Sequence, residues 1–322
     1  MERCWRRHLS TISMRRILGS GCLVVLCGLA GAAAVLPSRA ADAPTCRELE
    51  RRFELTKANA VPAQLSLALF PAADGGCVPL ARRLIDSGAS LEARDRLGTT
   101  ALARAARAGH VALIELFLAQ GAAIDARNLV GATALYAAAE NERQASVAFL
   151  LAKGADPNLP GRSGVTPLAA AAFKGNDRIV EALIARRADP DVVDLTGKAA
   201  ITYAAARGFA SIVRRLIGAG VDARRAYGNN LTALMWAAGH EDGVGTRAVL
   251  DVIPLLLEAG APIDAADNRG RTALMIAAEL GRGAIVEALL ARGADRSIAD
   301  KDGKRAFELA ANESVREKLA AK

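Results

Sequence analysis

The chain of 322 residues is short of the groups most chemistry needs. Aromatic residues make up 4% of it, and there are only three histidines, His8, His110 and His240. With so few rings, the core must come from small aliphatic side chains, and the 52% apolar content points to closely packed Ala- and Leu-rich helices. Cysteine is scarce too: five in all, with only Cys46 and Cys77 beyond residue 40. That pair lacks the spacing of a zinc site. Gly239 to Gly245 lacks the following Lys and Ser or Thr, and the strand before it, that a phosphate-cradling loop requires. His240-Glu241-Asp242 is the one cluster with metal or acid–base character, yet adjacent residues on a glycine-containing loop rarely converge on one ion. The sequence therefore predicts no catalytic residue, no metal and no cofactor.

A basic surface is also missing. The net charge is +8, but residues 1–40 hold six arginines against one acid. Beyond them 36 basic residues face 33 acidic ones, too even a balance for a nucleic-acid footprint. Long apolar runs are absent except for one uncharged stretch, residues 17–36. Arg15 and Arg16 precede it, and Ser38-Arg39-Ala40 follows with small residues at the −3 and −1 positions of a cleavage site. This is the order of an export signal, residues 1–40. Twenty uncharged residues are also long enough for an uncleaved membrane anchor, and that alternative stays open. Export leaves Cys46 and Cys77 as an even pair, which reads as a disulfide.

What is abundant is repetition. Gly88, Gly121 and Gly154 lie 33 residues apart; Gly220 follows two periods later, then Gly260 after 40 and Gly293 after 33. Arg187 takes the skipped slot. Thr100, Thr133, Thr166, Ala199, Thr232 and Thr272 keep the same step, as do Leu102, Leu135, Leu168, Ile201, Leu234, Leu274 and Phe307. A period of 33 is one supersecondary unit copied and stacked. Each copy reads as a turn, a short helix capped by Thr, a break such as Gly109-His110, and a second helix with an apolar stripe, as in Leu113, Ile114, Phe117 and Leu118. A glycine then ends the second helix.

Thr166-Pro167-Leu168 with Ala171-Ala172 and Gly175, and Leu150-Leu151 with Gly154-Ala155-Asp156, resemble the ankyrin repeat. The resemblance implies an all-α repeat solenoid of stacked helix-turn-helix units with β-turn fingers. Residues 41–61 are expected to cap the array, with a capping box at Thr45 and Glu48. Residues 62–322 are expected to hold about seven repeats, the first degenerate at its first helix, and a truncated C-terminal cap. Ala199 leaves the fifth unit without its capping Thr. Seven extra residues within His240–Ala248 are expected as a loop joining the sixth unit's helices. His110 fills the pattern's Gly-His slot and is read as structural, while Tyr203 and Trp236 are read as core.

The family resemblance also implies where a partner binds: at finger tips and on the concave face of the first helices. The tip candidates are Arg96, Leu97, Leu129, Val130, Arg162, Leu195, Tyr227, Asn229, Asn268 and Arg269. Arg107, Phe173 and Lys174 are the candidates on the helix face. The expected function is an exported, non-catalytic module, monomeric and periplasmic or secreted, that binds a protein partner and no nucleic acid. The alternatives are a scaffold tethered to the inner membrane through residues 17–36, and a metal-dependent protein built on the 240–248 loop.

Overall fold

The structure, a computed structural model, describes residues 45–240 and 243–320. The leader, with its 17–36 stretch, and the Glu241-Asp242 pair lie outside the described residues. Among the described residues no helix is long and apolar enough to cross a membrane.

Helix α1 (Cys46–Thr56) comes first, then eight helix pairs. The first unit pairs α2 (Pro62–Gly75) with α3 (Val78–Asp86), the second α4 (Ala101–Ala108) with α5 (Val111–Ala119), and the third α6 (Ala134–Glu140) with α7 (Gln144–Ala152). The fourth pairs α8 (Pro167–Lys174) with α9 (Asp177–Ala185), and the fifth α10 (Ala200–Ala206) with α11 (Ala210–Gly218). The sixth pairs α12 (Ala233–Ala238) with α13 (Thr246–Glu258), and the seventh α14 (Ala273–Glu279) with α15 (Gly283–Leu290). A terminal pair, α16 (Ala306–Leu309) and α17 (Glu313–Ala320), ends the stack. First helices pack on the first helices of neighbouring units, and second helices on second helices.

Alanine makes this spacing possible. Ala105, Ala106, Ala138, Ala139, Ala171, Ala172, Ala204 and Ala205 are wholly buried where first helices meet, and a methyl group lets the backbones approach closely. The larger side chains, Leu113, Ile114, Phe117, Leu150, Ile179 and Leu183, fill the space between first and second helices. Five first helices start on a threonine whose hydroxyl accepts from the N–H three residues on: Thr100 from Ala103 at 3.3 Å, Thr133 from Tyr136 at 3.2 Å, and likewise Thr166, Thr232 and Thr272. Ala199 offers α10 no such bond.

Units are also joined by polar side chains that reach one period along the chain. Glu92 accepts the Ala123 N–H at 3.0 Å, Asp125 that of Asp156 at 3.2 Å, Asn158 that of Asp189 at 2.7 Å and Asp264 that of Asp295 at 2.9 Å. Burial, with the Asp156 charge beside it, raises the Asp125 carboxyl above the usual carboxylate range. The break between helices follows one rule as well. The ring of His110 lies over Gly76 and that of Phe209 over Gly175, both glycines having positive φ, so a Cβ there would stand 2.8 Å and 2.6 Å from ring atoms. His110 Nε2 also lies 3.0 Å from the Asp74 carbonyl oxygen. That is a structural histidine.

Three elements differ from expectation. The first helix of the first unit is not degraded but lengthened: α2 runs 14 residues against 8 in α4. Pro62 in its first turn and the Gln64 side chain, which accepts the Val61 N–H at 3.3 Å, start it early. The insertion in the sixth unit is only partly loop. Helix α13 has 13 residues where α5, α7, α9 and α11 have 9, so one extra turn absorbs four of the seven inserted residues. Val249 and Val252, wholly buried, anchor that longer helix. Finally, the sixth finger tightens into a two-residue antiparallel ladder, β1 (Ala226–Tyr227) with β2 (Leu231–Thr232).

At the N-terminal end, Leu49 and Phe53 of α1 are buried against the stack. Thr45 accepts the Glu48 N–H at 3.4 Å, but the Glu48 carboxylate turns to Arg52 instead of completing the expected capping box. The sulfurs of Cys46 and Cys77 lie within bonding distance, their Cα atoms 5.4 Å apart.

Candidate functional site

The fingers are built by a side chain that the glycine and threonine ladders do not reveal. Asp95 accepts the N–H groups of Leu97 and Thr99 at 2.8 and 2.9 Å. Asn128 does the same for Val130 and Ala132, Asp194 for Thr196 and Lys198, Asp267 for Arg269 and Arg271, and Asp300 for Asp302 and Lys304. Each is a short acceptor closing a turn on its own backbone. The last turn position has positive φ and is glycine at 98, 131, 164, 197, 270 and 303, with Asn230 (φ 60°) in the sixth finger. Gly161 and Tyr227 stand in the acceptor slot of the fourth and sixth fingers. There the turn changes to a 3₁₀ form, with Ser163 and Asn229 at φ 58° and 61°. Neighbouring tips are tied through the backbone: the Leu129 N–H donates to the Leu97 carbonyl, Leu195 to Ser163, Asn268 to Asn229 and Lys301 to Arg269, at 2.9–3.0 Å.

This row carries apolar side chains out into solvent. Leu129 is 79% exposed and Leu195 85%, with Leu97, Val130 and Val193 exposed beside them. Arg96, Arg162, Asn229, Asn268 and Arg269 are exposed on the same row. Leu97 and Leu129 sit on adjacent tips joined by a backbone bond, so they form one patch. Tyr227 departs from the expectation. It is 8% exposed, in β1 rather than at the tip, with the Arg225 guanidinium 5.4 Å from its ring centre. Burial, with the Asp191 carboxylate nearby, pushes its phenol up to about 12. Tyr227 is a core ring beneath the sixth finger.

The first-helix face holds the second cluster, and here the structure corrects the sequence. Tyr203 and Trp236 are half-buried at the surface, not core residues. The buried position is one residue earlier, at Thr202 and Met235. One residue on, about 100° round the helix, the side chain comes to the half-buried edge. The Phe173 and Tyr203 rings meet edge to face, 5.7 Å apart at 83°. Lys198 Nζ lies 5.4 Å from the Tyr203 ring centre and 4.7 Å from that of Trp236, and Arg207 lies 4.6 Å from Phe173. The Tyr203 hydroxyl donates to Asp194, the turn acceptor of the fifth finger, so finger and helix are locked together. Burial first, and then that carboxylate, hold the Tyr203 phenol well above its ordinary range. Tyr136 is buried two units earlier; it covers Gly161 and donates to Glu140 at 3.2 Å. Lys174 is exposed next to Phe173. Arg107 is exposed but engaged, its guanidinium 3.0 Å from Asp74. Finger tips and first helices therefore bring Leu97, Leu129 and Val130 together at one place, and Phe173, Lys174 and Leu195 with Tyr203 and Trp236 on the units further along.

His240, the remaining chemical candidate, is 2% exposed, and Glu241 and Asp242 lie outside the described residues. Among the described residues no group of three or more His, Cys, Asp or Glu is placed to hold a metal ion.

A row of turn fingers, short first helices and longer second helices, repeated every 33 residues, is a helical repeat stack. A family model of ankyrin repeats matches the chain in three copies, over residues 69–161, 168–246 and 246–320. The chain belongs to the ankyrin-repeat family. No curated protein matches it. Ankyrin repeats generally mediate protein–protein interaction, and proteins built from them are generally non-enzymatic scaffolds.

Proposed function

We propose that this chain binds a protein partner through its finger tips and first-helix face and carries out no catalysis. The observation that carries the reading is the run of solvent-exposed leucines on the fingers. Side chains such as Leu129 and Leu195 gain nothing from water and bury well against a partner. The tips are held rigidly by the turn acceptors and tip-to-tip bonds, so little order is lost on docking. Replacing both leucines, Leu129→Asp with Leu195→Asp, is expected to abolish capture of a partner by the immobilised chain from an exported fraction. The circular dichroism of the protein should not change. Capture unaffected by the double variant would sink the finger-tip assignment.

We further propose that the chain is exported, its leader removed after Ala40, and its N-terminal end pinned by a Cys46–Cys77 disulfide. The support is the order of charged, apolar and small residues in the leader, together with the approach of the two sulfurs. Closing a loop of that length stabilises by about 3–4 kcal/mol in the chain-entropy picture. Fractionation of cells followed by intact mass decides it: a soluble product starting at Ala41 without free thiols is expected. Retention of residues 17–36 in a membrane fraction, or two titratable thiols, refutes it.

A further inference from the structure

We propose that the first-helix face of the fourth to sixth units docks an acidic peptide segment bearing an aromatic or aliphatic side chain. This rests on the protein-binding reading above and adds the chemistry of the partner. Charge is the first observation. Toward the N-terminal end of this face the cations are answered within the chain: Arg104 pairs with Asp74 and Asp95, and Arg107 with Asp74. Toward the C-terminal end, Arg271 pairs with Glu279 and lies 3.6 Å from Asp300. In the middle, Arg162, Lys174 and Lys198 have no carboxylate within ion-pair distance among the described residues. Two carboxylates on the same stretch, Asp194 and Glu140, keep their charge but accept only from neutral groups, so the three cations outnumber them. Asp194 serves the turn of its finger and the Tyr203 hydroxyl, and Glu140 takes the Tyr136 hydroxyl. The middle of the face thus keeps a positive charge that its two ends have cancelled.

The second observation is apolar. In a chain with 4% aromatic residues, Phe173, Tyr203 and Trp236 gather on this one stretch. Tyr203 and Trp236 occupy the same slot of consecutive units, and Lys198 stands against both rings. A cation over an aromatic face keeps its full charge, so Lys198 presents ammonium and ring edge side by side. An incoming segment that satisfies both needs carboxylates for Lys174, Lys198 and Arg162 and a ring or branched chain for the aromatic surface. The Leu195 side chain, 85% exposed on the finger of the fifth unit, extends the apolar surface along the same path. With three such cations and a near-even charge balance beyond the leader, an acidic peptide fits better than nucleic acid.

Trp236 reports directly on the site. Trp5 is the chain's other tryptophan, so the full chain carrying Trp5→Phe has a single indole. The probe is a synthetic Asp- and Glu-rich peptide with a central Phe. Its addition is expected to change Trp236 emission saturably, with binding that weakens as salt is raised. The double variant Lys174→Glu/Lys198→Glu, confirmed as folded by circular dichroism, should weaken binding at least about tenfold. Replacing the central Phe of the peptide by Gly should weaken it as well. No emission change up to millimolar peptide, equal binding of a Lys-for-acid analogue, or tighter binding of oligouridylate overturns the inference. Partner capture separates the two levels. Capture that survives Lys174→Glu/Lys198→Glu but is lost in Leu129→Asp/Leu195→Asp overturns the acidic-segment inference and leaves the binding reading standing. No capture by any form overturns the binding reading itself.

Discussion

Arg187 shows what a single residue carries in a repeated chain. In the slot after each second helix Gly88, Gly121, Gly154, Gly220, Gly260 and Gly293 have φ between 88° and 99°, and Arg187 holds φ 60° there. A Cβ meets nothing within 4 Å at five of those glycines and, at Gly260, only the Arg224 side chain in ordinary contact at 3.9 Å, so the cost at Arg187 is backbone conformation and not crowding. Arg187→Gly should stabilise the protein by about 1 kcal/mol in chemical denaturation, while Arg187→Ala keeps the strain and changes little. The glycine ladder makes this site legible in the sequence. The turn acceptors Asp95, Asn128, Asp194, Asp267 and Asp300 recur just as regularly, and their role follows from the turn that each closes. One of the five is Asn and two further units lack the acceptor, so the ladder is weaker than that of the glycines. Tyr203 and Trp236 were harder to place: on so short a helix the buried and half-buried slots are neighbours, and periodicity alone does not tell them apart.

Among the first helices inside the array, between those of the two end units, α10 lacks the threonine cap. Ala199 gives it no hydroxyl cap, and the Thr202 N–H turns to the Ala199 carbonyl at 3.1 Å. Thr133 and Thr272 are buried in the same slot of other units, so the fold accommodates the larger residue there. Ala199→Thr is expected to stabilise by about 1 kcal/mol and to slow amide exchange across Ala200–Ala206. Unchanged exchange in that helix would show that its end is held by other contacts. Helix existence and order could be read from the three ladders because capping threonine, apolar slot and closing glycine agree in nearly every unit. The lengths of α2 and α13 could not. Extra residues beside a helix extend it or a loop according to whether the added turn finds a core, as Val249 does.

At the scale of the whole molecule, the three tyrosines act as a set. Tyr136, Tyr203 and Tyr227 all have phenols raised chiefly by burial, each with a carboxylate nearby. A group whose folded pKa is raised contributes stability that is fully present below its unfolded value, about 10 for a phenol, and is lost as pH rises through the folded value. Phenolate absorbance of the folded protein is therefore expected to show no step at about pH 10 and to rise only with unfolding. In denaturant all three should ionise near 10. A phenolate step at the ordinary value in the folded protein would mean that one of these rings is open to water.

The side-chain joints between units have a consequence for how such a chain grows. Asp125 reaches the Asp156 N–H, Asn158 that of Asp189, and Asp264 that of Asp295, always from one slot to another in the following copy. A duplicated stretch of one period would arrive with its acceptor and its donor already in place, so it could be spliced into the array without leaving an orphaned polar group at either seam. The sixth unit departs from this scheme: Arg224 stands in the acceptor slot and Pro262, which has no N–H, in the donor slot, so no such bond spans its lengthened helix. Length, in this molecule, is the property that heredity can edit most cheaply.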